Sequence, residues 1–199
     1  MTSFLRSSLF SFAILISFSG MAQTPELPKP YLADSPELVY DMSLTYKDYY
    51  GSGLYVMKRL APGEYHAVFL SKVGLKLMEF KIINGDFKWI KLLEVLDKKS
   101  LRNMLERDFA LLMLVDLDQP EKSRIVKTKS DQTCFKIWNQ NKVKVCANML
   151  QVNYATNIRL INLNKTKIRF EDYDNSVPNS VVLTHRLVKV KIQLDKMKR

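Results

Sequence analysis

The segment Gly51–Ile82, GSGLYVMKRLAPGEYHAVFLSKVGLKLMEFKI, decides the fold class. It divides into three short runs of alternating side chains, a pattern typical of β-strands joined by tight turns. In the first run, Leu54 and Val56 share one face of the strand. Tyr55 and Met57 share the opposite face. Since neither face is polar, the sheet is expected to be covered on both sides.

Similar runs continue at a spacing of about ten residues, which is the spacing of an antiparallel meander in a sheet or a barrel. The predicted strands are 38–46, 53–60, 64–71, 75–83, 87–96, 123–129, 133–138, 142–147, 157–162, 167–171 and 181–194. The predicted turns of the first half are Gly51, Pro62-Gly63, Gly74 and Asn84-Gly85. The Asn-Gly pair is the strongest of these hairpin signals.

One helix is predicted between the strands, from Asp97 to Val115, with Asp97 or Ser100 as its N-cap. Its apolar residues recur at helical spacing and are Leu101, Met104, Leu105, Phe109 and Leu112. Every residue from 110 to 115 is apolar, so this end of the helix should be covered on all sides. Strands on both sides of a helix predict an α+β fold.

The first residues predict export. Arg6 precedes a short apolar run at 9–18, and small residues follow. This is the pattern of a signal peptide, whereas a membrane-spanning helix needs about 20 apolar residues. We predict a signal peptide over 1–23, cleaved after Ala22 or Gln23, and the alternative is a helix buried in the core.

The remaining chain is predicted to form a leader and one domain. Residues 24–36 are rich in proline and should be extended rather than helical. Residues 37–199 have the length of a single domain, since domains usually hold about 100–200 residues.

The formal net charge of +11 favours an anionic partner. Export argues against nucleic acid, which leaves an anionic membrane surface or an acidic protein. The alternative is that the lysines only coat the outer faces of the strands and keep the protein in solution.

The two cysteines are predicted to form a disulfide. The register that matches Phe135 with Val145 also places Cys134 opposite Cys146. Directly opposed residues can satisfy disulfide geometry, and an exported protein meets an oxidising compartment. The alternative is a pair of reduced cysteines packed as small apolar side chains.

Residue patterns that carry chemistry are scarce. His66 and His185 each lie within a predicted strand, without other ligands at metal-binding spacing. The chain has no nucleophile elbow, P-loop or dinucleotide-binding glycine motif. The acidic segment 171–175 offers oxygen ligands for a cation, but we interpret it as a solvated turn. The sequence therefore predicts no catalytic residue, no metal site and no cofactor.

Four segments carry a family resemblance. They are GSGLYVMKR at 51–59, YHAVF at 65–69, GLKLMEF at 74–80 and VPNSVVLTHR at 177–186. They resemble the opening and closing strands of the LolA/LolB-like superfamily of outer-membrane lipoprotein carriers and receptors, particularly those of Bacteroidetes type. The resemblance implies an unclosed antiparallel half-barrel, with helices as a lid over an apolar cavity that holds acyl chains.

The resemblance also implies roles for individual residues. The helix predicted from Asp97 to Val115 would be the lid or plug, and Arg59 would tie the lid down. The residues expected to line the cavity are Leu54, Val56, Val68, Leu75, Leu77, Phe80, Phe87 and Trp89 from the strands, with Leu105, Phe109 and Leu112 from the helix.

These observations lead to a functional hypothesis. The mature protein is expected to be a soluble, periplasmic, non-catalytic carrier of acyl chains of lipids or lipoproteins toward the outer membrane. Its partners would be that cargo, an anionic membrane surface and a transfer partner in the inner or outer membrane. One alternative is a packed barrel that acts as an envelope binding or assembly module through its basic surface. The second alternative is a hydrolase whose site residues are scattered along the sequence.

Overall fold

The computed structural model describes residues 27–118, 122–129, 132–138, 142–151, 154–162, 166–185 and 188–197. The strands are β1 (Glu37–Tyr46), β2 (Tyr49–Ala61), β3 (Glu64–Ser71), β4 (Lys76–Ile83), β5 (Asp86–Lys91), β6 (Lys122–Lys129), β7 (Gln132–Trp138), β8 (Lys142–Gln151), β9 (Tyr154–Asn162), β10 (Thr166–Asp174), β11 (Val177–His185) and β12 (Val190–Lys196). The helices are α1 (Tyr31–Asp34), α2 (Lys99–Leu112) and α3 (Val115–Asp118), with a 3₁₀ turn at Glu94–Leu96.

All described strands belong to one antiparallel sheet. Its strand order is β5-β4-β3-β2-β1-β12-β11-β10-β9-β8-β7-β6, so two meanders join where the first strand pairs with the last. The edge strands are β5 and β6, which do not pair with each other. The predicted α+β fold with an unclosed half-barrel is therefore confirmed. The connection between the two edges carries α2 and α3.

The turns of the first meander follow the sequence signals with one exception. Asn84 and Gly85 form a two-residue hairpin loop with φ of 50° and 87°, as a tight primed turn requires. The prediction of a turn at Gly51 is wrong, because β2 already begins at Tyr49. Glycine is needed at position 53 for another reason, since a Cβ atom there would lie 1.9 Å from the carbonyl oxygen of Leu70.

The two apolar faces of β2 have different environments. Tyr55 and Met57 are fully buried on the concave face, whereas Leu54 and Val56 are half-buried on the outer face. Leu70 lies opposite Leu54 in the neighbouring strand. Among the described residues, other parts of the chain cover only the concave face of the sheet, and the expected cover of the outer face is not found. On the outer face, neighbouring aliphatic side chains shield one another.

The bounds of α2 differ from the prediction at both ends. The helix begins at Lys99 after Lys98 as its N-cap, so neither Asp97 nor Ser100 caps it. Asp97 instead forms an ion pair with Arg102. The helix ends at Leu112, because Leu114 adopts a left-handed φ of 57° and turns the chain into α3. The apolar end is buried as expected.

The proline-rich leader is not extended throughout. Pro30 precedes the helical turn α1 with a φ of −59°, a value that suits a helix start. Tyr31 and Leu32 in this turn are 1% and 0% exposed. The prediction that no helix occurs in 24–36 is therefore wrong at Tyr31–Asp34, where two apolar side chains gain burial.

The predicted final strand 181–194 is in fact two strands. β11 and β12 pair antiparallel with Leu183 opposite Ile192. The buried positions change from odd numbers in β11, such as Val181, to even numbers in β12, such as Leu194. Buried positions that change from odd to even numbers indicate a turn between two strands. The alternation of apolar residues by itself looks like one continuous strand.

The predicted disulfide between Cys134 and Cys146 is confirmed. The two residues lie opposite each other in β7 and β8, in the predicted register that also pairs Phe135 with Val145. Their sulfur atoms are bonded, and their Cα atoms are 4.0 Å apart.

Candidate functional site

Helix α2 crosses the concave face of the half-barrel. Its residues Leu105, Phe109 and Leu112 are fully buried against the sheet. Because the connection that carries α2 runs from one sheet edge to the other, the helix lies over the concave face as a strap. The family resemblance implied a lid or plug in this place.

An aromatic cluster fills the space between α2 and the first meander. The ring of Phe109 lies 5.0 Å from Phe80, 5.8 Å from Tyr55 and 6.2 Å from Trp89. Phe80 also stacks on Phe87 with 4.5 Å between ring centroids. Aromatic pairs at these distances add to the stabilisation from burial, so α2 is held down mainly by apolar contacts.

The structure brings together six of the residues predicted to line a cavity. They are Phe80, Phe87, Trp89, Leu105, Phe109 and Leu112. Leu77 is partly buried and packs against the same core. A role in ligand binding stays a prediction for all of them.

The sequence-based choice of face is corrected for the other predicted lining residues. Leu54, Val56 and Val68 lie on the outer face, because the inward positions of β2 and β3 belong to residues of the other parity. Leu75 is 65% exposed in the turn before β4. Charged residues occupy other positions on this outer face. Lys58, two residues after Val56 in β2, is an example.

The concave residues that the sequence reasoning missed include Tyr31, Tyr55, Met57, Ala67, Phe69 and Met78. Tyr31 also fixes the end of the strap, because its hydroxyl donates a hydrogen bond of 2.7 Å to the carbonyl oxygen of Leu112. A second polar contact lies at the middle of α2, where Trp89 Nε1 donates a hydrogen bond of 2.9 Å to Glu106.

Arg59 forms a latch with Asp118, the last residue of α3. The guanidinium donates to both carboxylate oxygens, from Nη2 to Oδ1 at 2.7 Å and from Nε to Oδ2 at 3.2 Å. The Gly63 N–H and the Tyr65 hydroxyl also donate to Oδ2, at 2.9 Å and 2.7 Å. We call this group of four residues the latch. It joins the end of the strap connection to the β2–β3 hairpin.

Electrostatics stabilise the latch in its ionised form. Burial of Asp118 raises the pKa of its carboxyl group, but the hydrogen bonds from Arg59, Gly63 and Tyr65 outweigh this effect and hold the pKa below its usual value. The side chain of Asp118 is only 6% exposed, so the pair is better shielded from solvent than an ordinary surface ion pair.

A buried polar cluster lies under the other side of the strap, where α2 contacts β10 and β11. Asp108 is 1% exposed, and its Oδ1 accepts a hydrogen bond of 2.8 Å from the Thr166 hydroxyl. Its Oδ2 is buried without a hydrogen-bond partner among the described residues. Asp108 occupies a position of the apolar stripe, three residues after Leu105, and this mismatch was a signal that the sequence reasoning missed.

Burial shifts the pKa values of two groups in this cluster. It raises the pKa of Asp108 to about 6, although the hydrogen bond from Thr166 and the charge of Arg107 act in the opposite direction. Burial also lowers the pKa of His185, and the charge of Arg107 lowers it further. Both shifts follow from the cost of charging a group away from water.

The stability of the protein should depend on the protonation of Asp108. Its pKa is raised from 3.8 to about 6 on folding, so the folded protein binds this proton more tightly than the unfolded chain. The resulting stabilisation is fully present below pH 3.8 and is lost as the pH rises through 6. About 2 pKa units at about 1.4 kcal/mol each give a change of about 3 kcal/mol.

The Asp108→Asn variant isolates this effect. The free energy of unfolding of the unmodified protein, minus that of the variant, should fall by about 2–3 kcal/mol between about pH 4 and about pH 7.5. Urea denaturation at several pH values measures the difference, and the contribution of His185 cancels. Glu94→Gln, at an exposed carboxylate in the same connection, is the control. A constant difference across this pH range would contradict the assignment.

The acidic segment 171–175 borders an open groove with a volume of about 1180 Å³. The groove also holds the start of β1 and the end of β12, and its lining residues include Glu37, Asp172, Asp174 and Asp195.

Within the described ranges, no group of three or more His, Cys, Asp or Glu residues is arranged to hold a metal ion. His66, the other predicted strand histidine, pairs with Glu79 at 2.9 Å. None of the helices in the described part of the chain is long and apolar enough to span a membrane.

Comparison with known proteins identifies the fold. The sequence matches no protein-family model and no curated protein. The structure is similar to a LolA superfamily protein from Nitrosomonas europaea, with a TM-score of 0.51 and 9% sequence identity over 82% of this chain and 86% of that one. The protein therefore has the fold of the LolA superfamily, as the resemblance of its strands implied.

Two further solved structures are similar with lower scores. An outer membrane lipoprotein-sorting protein domain from Vibrio parahaemolyticus has a TM-score of 0.46 and 7% identity, over 81% of this chain and 83% of that one. A DUF1329 family protein from Desulfovibrio piger has a TM-score of 0.45 and 8% identity, over 82% of this chain and 84% of that one.

Proposed function

We propose that this protein is a periplasmic, non-catalytic carrier that binds acyl chains of lipids or lipoproteins beneath α2 and delivers them to the outer membrane. The observation that carries the proposal is the apolar concave face of an open half-barrel, roofed by a single strap. Opening the strap would expose the aromatic cluster to an acyl chain. Burial of apolar surface gains about 25 cal/mol per Å², so one chain can bind without a polar partner.

The arrangement of the strap supports reversible opening. The polar side-chain contacts that hold the strap connection include the latch, the Tyr31 and Trp89 hydrogen bonds and the Thr166 hydrogen bond to Asp108. An acyl chain can replace apolar contacts of α2 with its own, because apolar contacts are not directional. The signal peptide predicted from the sequence supports a periplasmic location.

The alternative is an envelope binding or assembly module that holds no lipid and acts through its basic surface. The dense packing of α2 favours it, since Leu105, Phe109 and Leu112 are each 0% exposed. The net charge of +11 suits an acidic protein partner as well as a membrane.

Lipid analysis separates the two functions. The mature protein would be purified from the periplasm without detergent and extracted for lipid mass spectrometry. The carrier predicts stoichiometric acyl lipid or lipopeptide, or saturable binding of a fluorescent fatty acid by the emptied protein. Absence of both, together with co-purification of a stable protein partner, would replace the carrier with the assembly module.

The β3–β4 turn offers a means of docking on the target membrane. Val73 is 81% exposed and Leu75 is 65% exposed at this turn, and Lys72 and Lys76 flank them. Exposed aliphatic side chains can enter the interface of a bilayer, while neighbouring lysines attract anionic lipid at about 1 kcal/mol each. We therefore expect this turn to touch anionic membranes.

The double variant Val73→Ser/Leu75→Ser should bind anionic vesicles at least about tenfold more weakly, because two aliphatic insertions are lost. Co-sedimentation with vesicles of phosphatidylglycerol and phosphatidylethanolamine measures the affinity. Val95→Ser is the control, because Val95 is also exposed, at 44%, but lies in the 3₁₀ turn. Equal binding by the double variant and the control would remove this turn from the docking surface.

A further inference from the structure

Two buried polar atoms in the polar cluster under the strap have no hydrogen-bond partner among the described residues. They are Oδ2 of Asp108 and Nδ1 of His185. Buried polar groups in folded proteins are nearly always paired, so an orphaned group calls for a specific explanation. Oδ2 of an ionised Asp108 would accept a hydrogen bond here, and so would Nδ1 of His185 when its ring carries the proton on Nε2.

The two orphaned atoms belong to neighbouring residues. Thr166 in β10 lies directly opposite His185 in β11, so their side chains share the concave face. Directly opposed residues have Cβ atoms about 4.5–5.5 Å apart. Thr166 also donates to Asp108 at 2.8 Å, so the two unpaired atoms belong to the two neighbours of the same threonine.

Apolar side chains border this cluster on the sheet side. Ile168 and Leu183, the next inward residues of β10 and β11, are both 0% exposed. An ionised carboxylate in such a place interacts strongly with a cation because solvent screening is weak. Burial lowers the pKa of His185, so its ring is neutral at neutral pH and Nδ1 can accept a hydrogen bond when Nε2 carries the proton.

We propose that Asp108, Thr166 and His185 form a head-group site for an amphiphile that carries a primary ammonium group. The inference rests on the proposed carrier function and names a class of cargo for it. A primary ammonium has N–H donors for both acceptors and a positive charge for the carboxylate. Phe109, the next residue of α2, belongs to the aromatic cluster that would receive the attached acyl chain.

Other charges of the protein act against this preference. The net charge of +11 favours an anionic amphiphile, and Arg107 lies close enough to affect the pKa values of both Asp108 and His185. A preference for an amine would therefore not follow from the overall charge. It would have to come from a local site.

Three probes of equal chain length test the site, namely dodecylamine, dodecanol and laurate. At about pH 7.5 the amine is a cation, and it should displace a fluorescent fatty acid at a concentration about tenfold or more below that of dodecanol. In Asp108→Asn this amine preference over dodecanol should disappear. Arg107→Gln should tighten amine binding, because a competing cation is removed.

His185→Leu provides a second variant that leaves α2 unchanged, and it should weaken amine binding by about threefold to tenfold. Equal affinities for the amine and the alcohol in the unmodified protein would overturn the head-group site and leave the carrier function standing. An amine preference that persists in both Asp108→Asn and His185→Leu would also overturn the head-group site and leave the carrier function standing. If none of the three probes binds the unmodified protein, the carrier function and the head-group site both fall.

Discussion

Replacing Phe109 with alanine should lower the free energy of unfolding by about 3–5 kcal/mol. Phe109 is 0% exposed and lies at the centre of the aromatic cluster, with the rings of Phe80 and Tyr55 at 5.0 Å and 5.8 Å. Removing the ring loses its burial and leaves a cavity that the rigid strands cannot close. Urea denaturation measures the change.

The same variant should change ligand binding in the opposite direction. An apolar cavity of this origin stays dry and accepts small apolar molecules, so Phe109→Ala should bind a fluorescent fatty acid more tightly than the unmodified protein. Phe87→Ala provides a control of equal chemistry, because Phe87 is only partly buried at the sheet edge. It should lose about 1–2 kcal/mol. A loss of less than 1 kcal/mol in Phe109→Ala would mean that α2 does not depend on this contact.

Replacing Asp118 with alanine should lower the free energy of unfolding by about 2–4 kcal/mol. The variant removes the acceptor of four hydrogen bonds and leaves the donors of Arg59, Gly63 and Tyr65 unpaired. The pKa of Asp118 is lowered on folding, so its stabilisation is present above pH 3.8 and is lost as the pH falls below that value.

Hydrogen exchange and ligand uptake separate latch opening from general destabilisation. In Asp118→Ala the amides of α2 and α3 should exchange faster while those of β1 and β12 change little, and a fluorescent fatty acid should bind faster. Asp97→Ala is the control, because the Asp97–Arg102 ion pair is exposed at 41% and 42%. A double-mutant cycle with Arg59→Ala measures the coupling directly, and simple additivity would exclude the latch.

The sequence predicted the sheet well because strand alternation and turn residues are local signals. The Asn84-Gly85 hairpin and the register of β7 and β8 follow directly from such signals. The strand face was harder to assign, because Leu54 and Tyr55 are both large and apolar. Lys58, which has the same parity as Leu54 in β2, was the signal in the sequence that could have placed Leu54 outside and Tyr55 inside.

The polar contacts of the candidate site were less predictable than the fold. The sequence placed Arg59 at a strand end, and the resemblance gave it a role in holding the lid. Its partner Asp118 is 59 residues away in the chain, and no local pattern joins them. Asp108 and Thr166 are likewise 58 residues apart, so their pairing depends on how the strap lies across the sheet.

The most direct test of the central claim is contact between an acyl chain and Trp89. The chain has 2 tryptophans, so Trp138→Phe leaves Trp89 as the single fluorophore and Trp89→Phe leaves Trp138 as the control. Dibromostearate quenches indole fluorescence only at close range. We expect saturable quenching of Trp89 in Trp138→Phe at one fatty acid per protein, as an acyl chain displaces Phe109 from its ring. Unchanged Trp89 emission at saturating dibromostearate would contradict binding beneath α2.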